Sequence, residues 1–199
     1  MVGDSAKLGG EQLRYTSMNL DVQLTLKKAT NERLGEFVML CANSLGLEMT
    51  RIRDKQPTGR TALGKDPSPA YRWNSERSPL IAWTFSTCLG LRWDETTTTH
   101  QLHMSWMFET PRLFRIRFIQ GVADSDGCVK DSVEVASAPN SQFISDVLQT
   151  LGMTSAHVSY EKGLPLKTMV SKRQAATLPI FNEYVASYRY QKLMGATRP

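Results

Sequence analysis

At 199 residues, with 41% hydrophobic and 22% charged side chains, the chain has the length and apolar content for one or two domains with their own cores. A net charge of +5 and a pI near 9.2 suit a polyanionic partner without requiring one. No apolar run reaches the length of a membrane span, the N-terminus is too polar for a signal peptide, and Cys41, Cys88 and Cys128 lack CxxC spacing, so free thiols in a reducing intracellular compartment are expected.

Taken in order, the chain opens Met1-Val2-Gly3-Asp4-Ser5-Ala6, and a hairpin is expected over 7–28. Within it Leu20, Val22, Leu24 and Leu26 alternate with Asn19, Asp21, Gln23, Thr25 and Lys27, the period-two pattern of a half-buried antiparallel strand. The polar set carries amides, a hydroxyl and a cation, the groups that pair with base edges, although the same pattern equally describes a solvated face. A helix led by Asn31 should end at Leu45-Gly46-Leu47. The strand after it, 50–55, sets Arg51, Arg53 and Lys55 on one face, where they would meet phosphates. A Gly- and Pro-rich loop with Arg60 and Lys65 covers 56–69. His100 and His103 have no third ligand nearby and are not read as a metal site.

Residues 113–124 form an apolar helical run, continuing into Ile119-Gln120-Gly121-Val122-Ala123-Asp124-Ser125-Asp126-Gly127. The helix thus delivers Asp126 to its own C-terminal end, where the partial negative charge of the helix disfavours an acid. An acid placed against that preference points to a nearby cation. Next comes a strand with Val133 and Val135 flanked by Ser132, Glu134 and Ser137. A second helix runs from Asn140 to Leu151-Gly152-Met153, and a strand over 155–161 follows it. The order helix, glycine turn, strand, then Ser75-Glu76-Arg77 or Ser171-Lys172-Arg173 occurs twice, as a duplicated unit would. A closing helical segment is expected over 179–193.

The nonapeptide 119–127 resembles the signature helix of the LAGLIDADG homing endonucleases, at its glycines and its acids. That resemblance implies an α+β fold: two pseudo-symmetric αββαββα units forming a β-saddle under helices, the first lacking its leading helix. The halves would be 1–91 and 111–199, with 92–110 as linker. Residues 1–6 look like the tail of a truncated first signature. The resemblance implies that Asp126 and Asp4 hold Mg²⁺ or Mn²⁺ and are catalytic. Asp124 would lie beside the metal or at the surface, and Gly121 where two signature helices touch. Gly127 would fit a turn with positive φ. Lys172 would be the basic residue near the metal, with Lys167 as the fallback and Glu76 at the matching place in the first copy. Arg14, Asn19, Gln23, Thr25, Lys27, Arg51, Arg53, Lys55, Lys130, His157 and Lys167 would contact DNA. The implied function is a sequence-specific double-stranded DNA endonuclease of intron mobility, hydrolysing phosphodiesters with a divalent metal. The alternative is a degenerate nucleic-acid-binding member, an intron maturase or a DNA-binding regulator. Partners are target DNA, with intron RNA and a second chain supplying the missing helix left open, and no membrane.

Overall fold

A computed structural model describes residues 22–28, 32–53, 71–91, 101–136 and 138–196. The chain falls into two compact units that divide between Trp83 and Thr84, ahead of the boundary expected at 91. Among the described residues no helix is long and apolar enough to cross a membrane.

The first unit runs β1 (Val22–Lys28), α1 (Glu32–Ser44), β2 (Met49–Arg53), β3 (Tyr71–Ser78) and α2 (Pro79–Trp83). Its antiparallel sheet has the order β1-β3-β2. Helix α1 lies close on the sheet because Gly35 has no side chain: a Cβ there would sit 2.5 Å from the ring of Trp73, which is fully buried. Met49, Trp73 and Ser75 are buried on this side of the sheet. Gly46, at φ 76°, ends α1, with its N–H bonded to Asn43 O and that of Leu47 to Ala42 O. This is a Schellman close, in which a left-handed residue lets two trailing amides satisfy the last carbonyls.

The second unit begins with a π-helical turn, Thr84–Cys88, and a 3₁₀ turn, Ser105–Glu109. It then runs α3 (Arg112–Asp126), β4 (Gly127–Val129), β5 (Val133–Ala136), α4 (Ser141–Thr150), β6 (His157–Glu161), β7 (Leu164–Val170), the single turn α5 (Lys172–Ala175) and α6 (Ser187–Ala196). From α3 to α5 the order is αββαββα. The sheet is antiparallel, β4-β5-β7-β6. Strands β6 and β7 join through Lys162 and Gly163, both at positive φ, as a two-residue hairpin of matching twist requires. Phe143, Ile144, Val147 and Leu148 make one buried stripe of α4, and Val133, Val135 and Val170 are buried in the sheet. Thr168, also buried, donates from Oγ1 to Ser141 O of α4 at 2.7 Å. Helix α4 ends as α1 does, with Gly152 at φ 93°, Gly152 N–H bonded to Gln149 O and Met153 N–H to Leu148 O. Strands β1, β3 and β2 follow the order that β5, β7 and β6 show in the larger sheet.

The expected counterpart of Lys172 is revised by strand length. Ser75-Glu76-Arg77 lies inside β3, and the helical turn after that strand starts only at Pro79. Ser78 Oγ accepts from Leu80 N–H at 3.2 Å, as Ser171 Oγ accepts from Gln174 N–H at 3.4 Å. By position in the fold, Pro79 rather than Glu76 corresponds to Lys172.

Candidate nucleic-acid interface and helix-end carboxylate

Helix α3 starts behind Pro111, whose missing N–H costs nothing at a helix entrance, and ends on Asp126. Only one face of it is covered. Ile116, Ile119, Gln120, Val122, Ala123 and Asp124 are buried, whereas Leu113 and Phe114 are 63% and 49% exposed. Gly121 is exposed too, with open space where a Cβ would stand. The apolar run therefore packs on one side and presents Leu113, Arg117 and Gly121, one turn apart, on the other.

The end of α3 is held by the C-terminal segment. Gln120 Nε2 donates to Pro179 O at 2.8 Å, and Asn182 N–H donates to Asp124 Oδ1 at 2.9 Å. Arg189 Nη1 donates to Asp124 O at 2.5 Å and Ala123 O at 3.5 Å, supplying a cation to the carbonyl end of the helix, where Ala123 O also accepts the Gly127 N–H. Asp124 is thus neither at the surface nor disposed outward; it is an internal tie. Burial pushes its carboxyl up to about 7, against the opposing pull of the Asn182 amide and of Arg189. Gly127 also differs from expectation. Its φ is −73° and ψ 153°, ordinary extended backbone. Glycine is needed there because a Cβ would lie 2.4 Å from Ala123 O and 2.7 Å from Phe181 Cε1. Asp126, half-buried with its Oδ1 enclosed, ends the helix between these fixed points.

Lys172 opens α5 behind Ser171. A polar cluster anchors that turn: Ser155 N–H donates to Gln174 Oε1 at 2.8 Å, Ser171 N–H to Ser155 Oγ at 3.1 Å, and Gln174 Nε2 to Thr154 Oγ1 at 2.9 Å. Among the described residues no group of three His, Cys, Asp or Glu is arranged to hold a metal. Asp4, the expected second carboxylate, lies outside the described residues, as do Arg14, Asn19 and Lys55.

The sheet of the second unit has a face opposite its helices. Register pairs Cys128 with Glu134, Glu134 with Met169, and Met169 with His157, while Ser159 pairs with Lys167. Facing pairs share a side of the sheet, and Lys167 and Met169 flank the inward Thr168. His157 is exposed, its Nδ1 2.9 Å from Ser155 O. Lys130 and Lys167 do not stand alone on this face. Their Nζ atoms lie 3.1 and 2.7 Å from Glu134 Oε2, and Lys167 first, with Lys130, holds that carboxyl below its ordinary value.

In the first unit the arginines fall the other way. Arg51 pairs in register with the buried Trp73, so it belongs to the helix-covered side. It bonds Glu32 and Glu36 of α1, at 3.0 Å for the latter, and its guanidinium carbon lies 5.8 Å from the Trp73 ring centre. Arg53 has the same strand parity. The opposite side carries Thr50, paired with Asn74, and register sets Thr25 beside Asn74 and Lys27 beside Arg72. The side chains of Gln23, Thr25, Lys27 and Arg53 lie outside the described set. The sequence placed Glu134 beside Val133 and Val135 but gave neither it nor Asn74 a role. Alternation alone marks their strand positions, but only register shows their neighbours.

No family model and no curated protein matches the chain. Among solved structures it is similar to I-DmoI, a LAGLIDADG homing endonuclease, in a doubly substituted form. That structure is a complex with its target DNA, nicked in the coding strand, in the presence of manganese. Identity is 12%, the match covers 87% of this chain and 85% of that one, and the TM-score is 0.53. At that identity the likeness is one of fold: this chain, a mixed structure of helices and antiparallel sheets, folds as I-DmoI does.

Proposed function

We propose that the chain is a sequence-specific double-stranded DNA endonuclease of the LAGLIDADG homing type, hydrolysing phosphodiesters with a divalent metal. The observation that carries this is the αββαββα order of the second unit with Asp126 closing its first helix. The likeness to I-DmoI, solved with target DNA and manganese, supports it. In this reading the two units are pseudo-symmetric, their open sheet faces form the saddle, and Asp4 brings the matching acid.

The donor set at the end of α3 fits Mg²⁺ or Mn²⁺. Asp124 is tied to Asn182, and Asp126 is the second carboxylate at that helix end. Hard cations of this kind take one or two carboxylates, keep several waters and complete their shell with phosphate oxygens. Once bound, such an ion supplies Lewis acidity and a more acidic water. The chain's own contribution is positional. The clasp of Gln120, Asp124 and Arg189 on the C-terminal segment holds the last turn of α3 still. Lys172, on its anchored turn, offers a cation for phosphate or for the departing oxygen.

The test is a Mg²⁺-dependent cleavage assay on a randomised duplex library, with Asp126→Asn alongside. Discrete cuts that vanish in the variant, with specific binding unchanged, are expected. Specific retention of DNA or intron RNA without any cut by the unaltered chain would make it a degenerate binder of maturase or regulator type.

A further inference from the structure

Glu134 is the acid at the centre of the open sheet face of the second unit, with Cys128 and Met169 paired on either side of it. Its side chain is 13% exposed, held under the ammonium groups of Lys130 and Lys167. Both lysines converge on Oε2. In this triad Glu134 and Lys167 are largely covered, and Lys130 is 60% exposed. The effect of the triad is geometric. Two cations bear on Oε2, so the oxygen that would take a further donor is Oε1. A phosphate would meet a carboxylate already bearing on both lysines. A neutral amine donor would meet the second oxygen, Oε1.

We propose that Glu134 is a specificity-determining residue, accepting a hydrogen bond at Oε1 from the N4 amine of a cytosine in the major groove, with Lys130 and Lys167 orienting it. This rests on the reading of the chain as a sequence-specific DNA-binding protein. Cytosine N4 and adenine N6 are both exocyclic donors in the major groove, but adenine sets an N7 acceptor beside its amine and cytosine does not; such a contact discriminates by about 1–3 kcal/mol, roughly 30-fold at the middle of that range.

The experiment is enrichment of bound duplexes from a randomised library without divalent metal, so that nothing is cut, using the full chain, Glu134→Ala and Glu134→Gln. The unaltered chain should enrich C·G at one position that Glu134→Ala leaves unselected, with a roughly 30-fold loss of discrimination there and none elsewhere. Glu134→Gln should shift that position toward A·T, because a glutamine amide pairs with adenine N6 and N7. Freed of their counter-charge, the lysines should tighten binding to unrelated DNA in Glu134→Ala and steepen its salt dependence. Identical enriched sequences for all three proteins would overturn the proposal and leave Glu134 as a counter-ion only. No enrichment by the unaltered chain would overturn the DNA-binding reading itself, and the proposal with it.

Discussion

Two acids two residues apart at the end of α3 have opposite fates. Asp124 faces the protein and ties the segment before α6, whereas Asp126 ends the helix half-buried. The raised Asp124 carboxyl makes a pH prediction. Its folded pKa, about 7, exceeds its unfolded value near 3.8, so between these the folded state holds more protons than the unfolded one. This group therefore favours the fold at low pH, and that contribution is lost as pH rises toward 7. Chemical denaturation at pH 5 and pH 8 should show the loss, and Asp124→Asn should remove it while keeping an acceptor for Asn182. An unchanged pH profile in that variant would show that Asp124 does not titrate in this range. Gly127 gives a second prediction. Alanine there meets a backbone carbonyl and the Phe181 ring, so Gly127→Ala should destabilise by about 1–3 kcal/mol, a cost typical of overpacking. A melting temperature equal to that of the unaltered chain would show that the close approach relaxes freely.

At the scale of elements, the telling case is a strand that turned over. Residues 49–53 alternate so that Arg51 and Arg53 share a side, and Ile52 is the apolar member of the other. Sequence reasoning therefore sends the arginines outward. The structure sends Arg51 to the helix side, because Gly35 lets α1 descend onto Trp73 and Glu32 and Glu36 then meet the guanidinium at the edge of the layer. Gly35→Ala should disrupt this packing, with the first unit losing protection in hydrogen exchange before the second does. Helix α3 supplies the contrasting glycine. Gly121 faces open space, so Gly121→Ala should raise the stability of the isolated chain by about 0.5–1 kcal/mol through helix propensity alone. If a second helix docks there, the same change should weaken cleavage or self-association, and equal activity in both proteins would argue against that docking.

At the scale of the molecule, each unit has its own sheet and its own helix-covered core. Residues 84–199 carry the complete αββαββα order, with Ile144, Val147, Leu148, Val133 and Val135 fully buried. A fragment of these residues should therefore melt cooperatively by circular dichroism; a broad, featureless transition would mean that its core depends on the first unit.

Several features were legible in the amino-acid order alone. Helical periodicity ending in Asp-Ser-Asp-Gly marked α3 and set Asp126 at its end. Leu-Gly-Leu and Leu-Gly-Met marked the two Schellman closes, because a left-handed residue after an apolar stripe is a local requirement. The twofold order of helix, turn and strand followed from these same local signals. What tertiary structure decided was everything that depends on which side is covered and on who stands opposite. Period two divides a strand into two faces without saying which one a helix will take. So Arg51 went to the helix-covered side, where it stays exposed, and Lys167 found Glu134 from the neighbouring strand. Asp124 and Gly127 owe their roles to Asn182, Phe181 and Arg189, more than fifty residues further along the chain, whose approach no local pattern encodes.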